Sequence, residues 1–151
     1  MQLAATRDVV APTARHRCAG DDPAPTLDAT SLALLQVVRA RAIDAQLAPR
    51  VEPYRFCALI EASPDRAAES YIDGLLHVLP QALGRPVLIR RPGPAPTSFD
   101  EAWLIGLIMA ARRGDQASVR FGLASRVHRP FRRSLGFLVV GIAGRLEAVA
   151  P

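Results

Sequence analysis

The sequence predicts an all-α protein: a compact bundle of five to six helices with one short extended segment and a disordered N-terminal tail. Three observations carry this. Half of the 151 residues are apolar but only 5% are aromatic, and Ala and Leu lead the apolar set, a mixture that favours helices over sheets. Apolar residues recur at helical spacing in one segment after another from Leu27 onward. Recognisable cap and stop residues bound several of those segments.

Residues 1–26 show no sustained period and include Pro12, Gly20, Asp21, Asp22, Pro23 and Pro25, so a mobile tail is expected ahead of a single helical domain at 27–151. Within the domain, 27–84 forms an acidic front half, 85–97 an extended segment with a Pro-rich loop, and 98–151 a basic back half.

The first helix is expected over Leu27 to Leu47, capped by Asp28 or Thr30. Leu34, Leu35, Val38, Ala42 and Ala45 form its apolar stripe, with Gln36, Arg39 and Asp44 off the stripe. Pro49 ends it. A short second helix follows from Pro53 to about Ala62. Ser63-Pro64 then signals a third start, with Ala68, Ile72, Leu75, Leu76, Leu79 and Leu83 on one face, a kink at Pro80 and a stop at Gly84.

Arg85 to Arg91 reads as an extended segment, the only strand candidate, which either lies across the bundle or pairs with another copy. Pro92 to Pro96 is a stiff loop or hinge. Ser98-Phe99-Asp100-Glu101 matches a capping box and opens a fourth helix through Trp103, Leu104, Leu107, Ile108 and Ala111. Gly114-Asp115 gives a stop and a fresh cap, so the fifth helix, Gln116 to Val127, turns back tightly. The sixth starts near Pro130. Its residues Leu135, Leu138, Val139, Ile142, Leu146 and Val149 make one side apolar, Phe137 and Val140 the other, which marks it as the central helix. Gly136, Gly141 and Gly144 within it imply close approach of a neighbour. The Gly-Asp turn between Ala-rich helices has a tetratricopeptide flavour, but it occurs once and a solenoid needs about three copies.

The net charge is +5, and all 19 basic residues are arginine. Codon bias in a GC-rich genome, which also explains the Ala, Gly and Pro load, accounts for this ahead of selection for bidentate anion contacts. Residues 1–105 balance to −1 and residues 106–151 to +6, so the whole excess lies in the last third. That asymmetry points to an acidic partner.

Cys18 and Cys57 are too few and too far apart for a zinc site or disulfide framework, and Arg15-His16-Arg17-Cys18 reads as solvated tail. No metal or cofactor is expected. The first residues lack a secretory h-region, and the longest apolar runs fall short of the roughly 18 residues a membrane span needs, so a cytoplasmic protein is expected.

Catalysis finds little support. Asp100 and Glu101 are accounted for as a helix cap, and Glu69, Asp73 and His77, four apart, read as an exposed helical charge row. No Gly-rich phosphate loop and no G-x-S-x-G is present. Binding is the expected role. Arg126, His128, Arg129, Arg132 and Arg133 fall within eight residues, with Arg112, Arg113 and Arg120 close by, and arginines beside a helix start make an anion site. Nucleic acid and an acidic protein surface are the candidate ligands. A helix-turn-helix is disfavoured by Pro130 in the break and by the apolar sixth helix. The alternative role is assembly, with surplus apolar helix surface forming a homo-oligomer or holding a partner helix.

Arg85 to Arg91, followed by Phe99 to Ala102 and Ala110 to Asp115, resembles small, mostly uncharacterised all-helical proteins of Gram-negative bacteria. The resemblance covers the C-terminal half. It implies a helical fold and carries no activity; cysteines often occupy the loop that Pro92 to Pro96 hold here.

Overall fold

Short-range hydrogen bonds written into the sequence set where most of these helices begin and end. The computed structural model describes residues 27–47 and 67–146. The expected tail at 1–26, the helix from Pro53, the Ser63-Pro64 cap, both cysteines and residues 147–151 lie outside them. Helix α1 spans Ala29–Leu47, α2 Ala67–Leu83, α3 Phe99–Arg112, α4 Gln116–Arg126 and α5 Arg132–Ala143. A 3-10 turn at Arg129–Phe131 joins the last two.

Asp28 caps α1 by accepting the Ser31 N–H at 3.1 Å. Ser98 and Glu101 form the reciprocal capping box of α3, and Asp115 caps α4 by accepting the Ser118 N–H at 3.0 Å. Gly84 and Gly114 adopt positive φ. Each closes the preceding helix with the paired bonds of a Schellman stop: Arg85 N–H to Pro80 O and Gly84 N–H to Gln81 O, then Asp115 N–H to Ala110 O and Gly114 N–H to Ala111 O. Helix α2 runs on through Pro80, whose carbonyl takes part in that stop.

Helix α5 is the central element, packing on α2, α3 and α4, while α1 packs on α2 and α3. Leu135, Val139 and Ile142 of α5 meet Ile72, Leu75, Leu104 and Ile108 in one buried cluster with Leu34, Leu35 and Val38 of α1. Each such side chain contributes about 1.5–3 kcal/mol by leaving water. Gly141 answers the question its position raises: a Cβ there would come within 2.3 Å of the Tyr71 ring of α2, so glycine admits the neighbouring helix. Gly144 meets only its own helix backbone, so the same explanation does not extend to it. The far side of α5 is open, with Phe137 and Val140 exposed, so being apolar all round did not make this helix buried all round.

Two expectations need correction. Arg39, placed off the apolar stripe of α1, is 1% exposed and Ala45 is on the surface. Arg39 lies only about 40° round the helix from Leu35, within the arc that faces the bundle. Residues 85–91 form no strand, and no strand occurs among the described residues. Their backbone N–H groups bond to carboxylates instead: Leu88 N–H to Asp100 at 3.0 Å and Arg90 N–H to Glu101 at 2.8 Å. A segment lying across the start of α3 satisfies alternate donors this way, which is one of the two placements the sequence left open for it. No helix among the described residues is long and apolar enough to cross a membrane.

Candidate anion-binding site

The first turn of α3 carries two acids in sequence, and a helix start alone would favour them there. Each does more. Glu101 is fully buried. One of its oxygens accepts Arg39 Nε at 2.8 Å and Arg90 N–H; the other accepts Arg39 Nη2 at 3.0 Å and Ser98 N–H at 2.7 Å. Burial pushes the Glu101 carboxyl up, but Arg39 and the Ser98 and Arg90 amides outweigh it and hold it below the ordinary value. The remaining Arg39 protons go to the carbonyls of Gly93, Ala95 and Pro96. Gln36 adds a reciprocal amide pair with Gly93. The Pro-rich loop is therefore tied to α1, which argues against a hinge.

Asp100, likewise buried, accepts two bonds from Arg85 at 2.9 and 2.6 Å, one from Leu88 N–H and one from Arg126 Nη2 at 2.7 Å. Chiefly through Arg85, against the opposing effect of burial, its carboxyl is held far below the usual carboxylate range. Arg126, the foremost residue of the expected anion site, is thus already paired. Its guanidinium lies 4.6 Å from the Phe99 ring centre and 4.9 Å from that of Trp103, an arrangement that favours a cation held between π faces. Its Nη1 is buried without a hydrogen-bond partner among the described residues.

The other expected residues separate into groups. Arg132 opens α5, where its charge opposes the helix dipole, but its guanidinium turns back to Val127 O at 2.9 Å and Ala124 O at 3.0 Å. It therefore sits at the negative end of α4, where a cation is stabilising. His128 donates its backbone N–H to Ala82 O at 2.9 Å, and its ring lies against Gly84, where a Cβ would meet Nε2 at 2.6 Å. Arg112 and Arg113 stand at the α3–α4 turn, where their charge acts on Asp28 and Asp115, secondary in each case to the Ser31 and Ser118 hydrogen bonds that lower those carboxyls.

Arg120, Arg129 and Arg133 are exposed, and none has an ion-pair partner among the described residues. The eight residues thus do not form one patch. The turn holding Arg112 and Arg113 is about 16 Å, the length of α4, from the end where Arg129 and Arg133 lie. Phe121, beside Arg120, is 76% exposed.

The row Glu69, Asp73, His77 also resolves differently from a charge row on a single helix. Asp73 bonds Arg41 of α1 through both carboxylate oxygens, with Glu69 at 3.6 Å from the same guanidinium. Among the described residues no cluster of three or more His, Cys, Asp or Glu side chains suits a metal. The Arg39–Glu101 and Arg85–Asp100 pairs were not anticipated. The available signals were an arginine inside an apolar arc and two acids where a cap requires one. No protein-family model, curated protein or solved structure matches the chain.

Proposed function

We propose that this protein is a non-enzymatic binding protein that holds an acidic protein surface against the outer side of α4 and the start of α5, through Arg120, Arg129 and Arg133. Arg112, Arg113 and His128 sit at its margins. The observation that carries this reading is selective neutralisation. Arg39, Arg41, Arg85 and Arg126 each meet an internal carboxylate, whereas Arg120, Arg129 and Arg133, like the exposed Arg90, Arg91, Arg112, Arg113 and Arg145, have no ion pair among the described residues. Arginine binds carboxylates in a bidentate fork, so such residues recognise acids without further chemistry.

An acidic protein suits this surface better than a duplex. Helix α5, which a helix-turn-helix would insert into the major groove, is packed on three other helices. Only Arg120 lies on α4 between its two basic ends, too sparse a set to track a phosphate backbone.

The test is fluorescence titration of labelled polyglutamate and of labelled single-stranded DNA against the full chain at rising salt. Polyglutamate is expected to bind with an affinity that falls steeply with salt, and the variant R120Q/R129Q/R133Q is expected to lose that binding while keeping its melting temperature. Absence of salt-sensitive binding overturns the reading, and preference for the DNA transfers it to nucleic acid.

A further inference from the structure

Asp100 satisfies only part of Arg126. Of the two outer guanidinium nitrogens, Nη2 donates to Asp100 at 2.7 Å, while Nη1 is buried with no hydrogen-bond partner among the described residues. A buried donor in that state has lost its hydration without a replacement, and an incoming acceptor oxygen restores the balance. Charge acts in the same direction. Arg85 and Arg126 share the one carboxylate of Asp100, and the neighbouring Glu101 is matched by Arg39. The start of α3 therefore holds one positive charge in excess, on an arginine side chain that is only 17% exposed. It lacks one anionic oxygen.

The surroundings select what can bring that oxygen. The guanidinium carbon of Arg126 lies 4.6 Å from the centre of the Phe99 ring and 4.9 Å from that of Trp103. Trp103 is a fixed wall. Its Nε1 donates to Gly122 O at 3.2 Å, where α4 comes so close to α3 that a Cβ on Gly122 would lie 2.6 Å from Leu107. Phe99 is a movable one, since it is 76% exposed. Rotation of its side chain uncovers the guanidinium and leaves the ring free to pack on whatever enters. Between two aromatic rings a dianionic phosphate would forfeit too much hydration. A monocarboxylate attached to an apolar group has one end for the N–H and the other for the rings, and two rings with one donor are the footprint of a small molecule.

We propose that Phe99, Trp103 and Arg126 bind a small monocarboxylic acid with an aromatic or aliphatic group. One carboxylate oxygen accepts Arg126 Nη1, the apolar group lies against Phe99, and Asp100 keeps Nη2. The site uses none of Arg120, Arg129 and Arg133, so it does not depend on the function proposed above.

Trp103 is the only tryptophan in the chain, so its fluorescence reads the site directly. The full chain is titrated at neutral pH and fixed ionic strength with hydrocinnamate, its amide, and acetate. Hydrocinnamate is expected to give a saturable change with a dissociation constant on the order of 1 mM or below. The amide lacks the charge and acetate lacks the ring, and each binds about tenfold more weakly or worse. R126K keeps a cation beside Asp100 but loses the planar fork, and it weakens hydrocinnamate by about tenfold. F99A, at an exposed position, reduces hydrocinnamate to the level of acetate. R120Q/R129Q/R133Q leaves hydrocinnamate binding unchanged, which separates this site from the polyglutamate surface.

No saturable response below about 10 mM overturns the proposal, as does equal binding of acid and amide. So does wild-type affinity in a folded R126K; if R126K does not fold, F99A decides by the same criterion. A tripeptide with a free carboxylate on a terminal phenylalanine is the last arm. If it binds where hydrocinnamate does not, the site belongs to a chain terminus and the small-acid proposal is overturned.

Discussion

The start of α3 and the outer side of α4 are both rich in arginine and use it in opposite ways. At the start of α3, Arg39, Arg85 and Arg126 converge on two adjacent carboxylates. The guanidinium groups there act as fasteners: α1, the Pro-rich loop, the extended segment and α4 all attach to the first turn of one helix. On α4, the turn after it and the first turn of α5, Arg120, Arg129 and Arg133 are exposed with no ion-paired acid among the described residues. Charge content therefore says little about role, and the location of the acids says much. Both acids of this lattice precede residue 106, and in the back third the only acids are Asp115 and Glu147.

The comparison breaks most visibly at Arg39. R39M leaves Glu101 charged and buried, so a loss of about 3–5 kcal/mol is expected on chemical denaturation. R39M/E101Q should recover part of it, because the orphaned charge is gone while the cap oxygen remains. Full additivity of the two changes would show that the residues are not coupled.

A smaller loss, about 2 kcal/mol at neutral pH, is expected for D100N. The Asp100 carboxyl is held far below its ordinary value in the fold, so its contribution is complete above the unfolded-state value of about 3.9, begins to decline below it, and is lost only as pH falls through the depressed folded value. The gap between the melting temperatures of wild type and D100N should therefore narrow, without closing, as pH is lowered from 6 to about 3, and a gap that stays constant would contradict the sign of the shift. R132A removes a cation from the carbonyl end of α4 and should cost about 1 kcal/mol, measured the same way.

At the bottom of the scale, R120Q/R129Q/R133Q should change stability by no more than about 0.5 kcal/mol per substitution. A larger loss would place those residues with the fasteners and remove the contrast.

Much of the fold was legible in residues that act on their near neighbours. Asp28, the Ser98 and Glu101 box, Gly114-Asp115 and Gly84 each operate within five positions along the chain, and the apolar stripes follow from helical periodicity. Those elements formed where local chemistry predicts. Residues 85–91 lie across the bundle, one of the two placements expected of them, but as no strand; Arg39 departs from its expected place because its partner is distant in sequence. Arg39 and Glu101 are 62 positions apart, and no local pattern distinguishes an arginine that will meet a buried carboxylate from one bound for solvent.

The candidate site divides along the same line. Sequence placed the charge excess in the last third and named the residues, which composition and position suffice to do. It could not sort them, because sorting depends on which carboxylates and carbonyls come within about 3 Å once the chain is packed. Tertiary structure gave Arg126 to Asp100, Arg132 to the end of α4, and left Arg120, Arg129 and Arg133 facing outward. It also exposed Phe137 and Val140 on a helix whose sequence is apolar on every side. Helical period is fixed by the backbone, but the number of neighbours that surround a helix is fixed only when the others have packed.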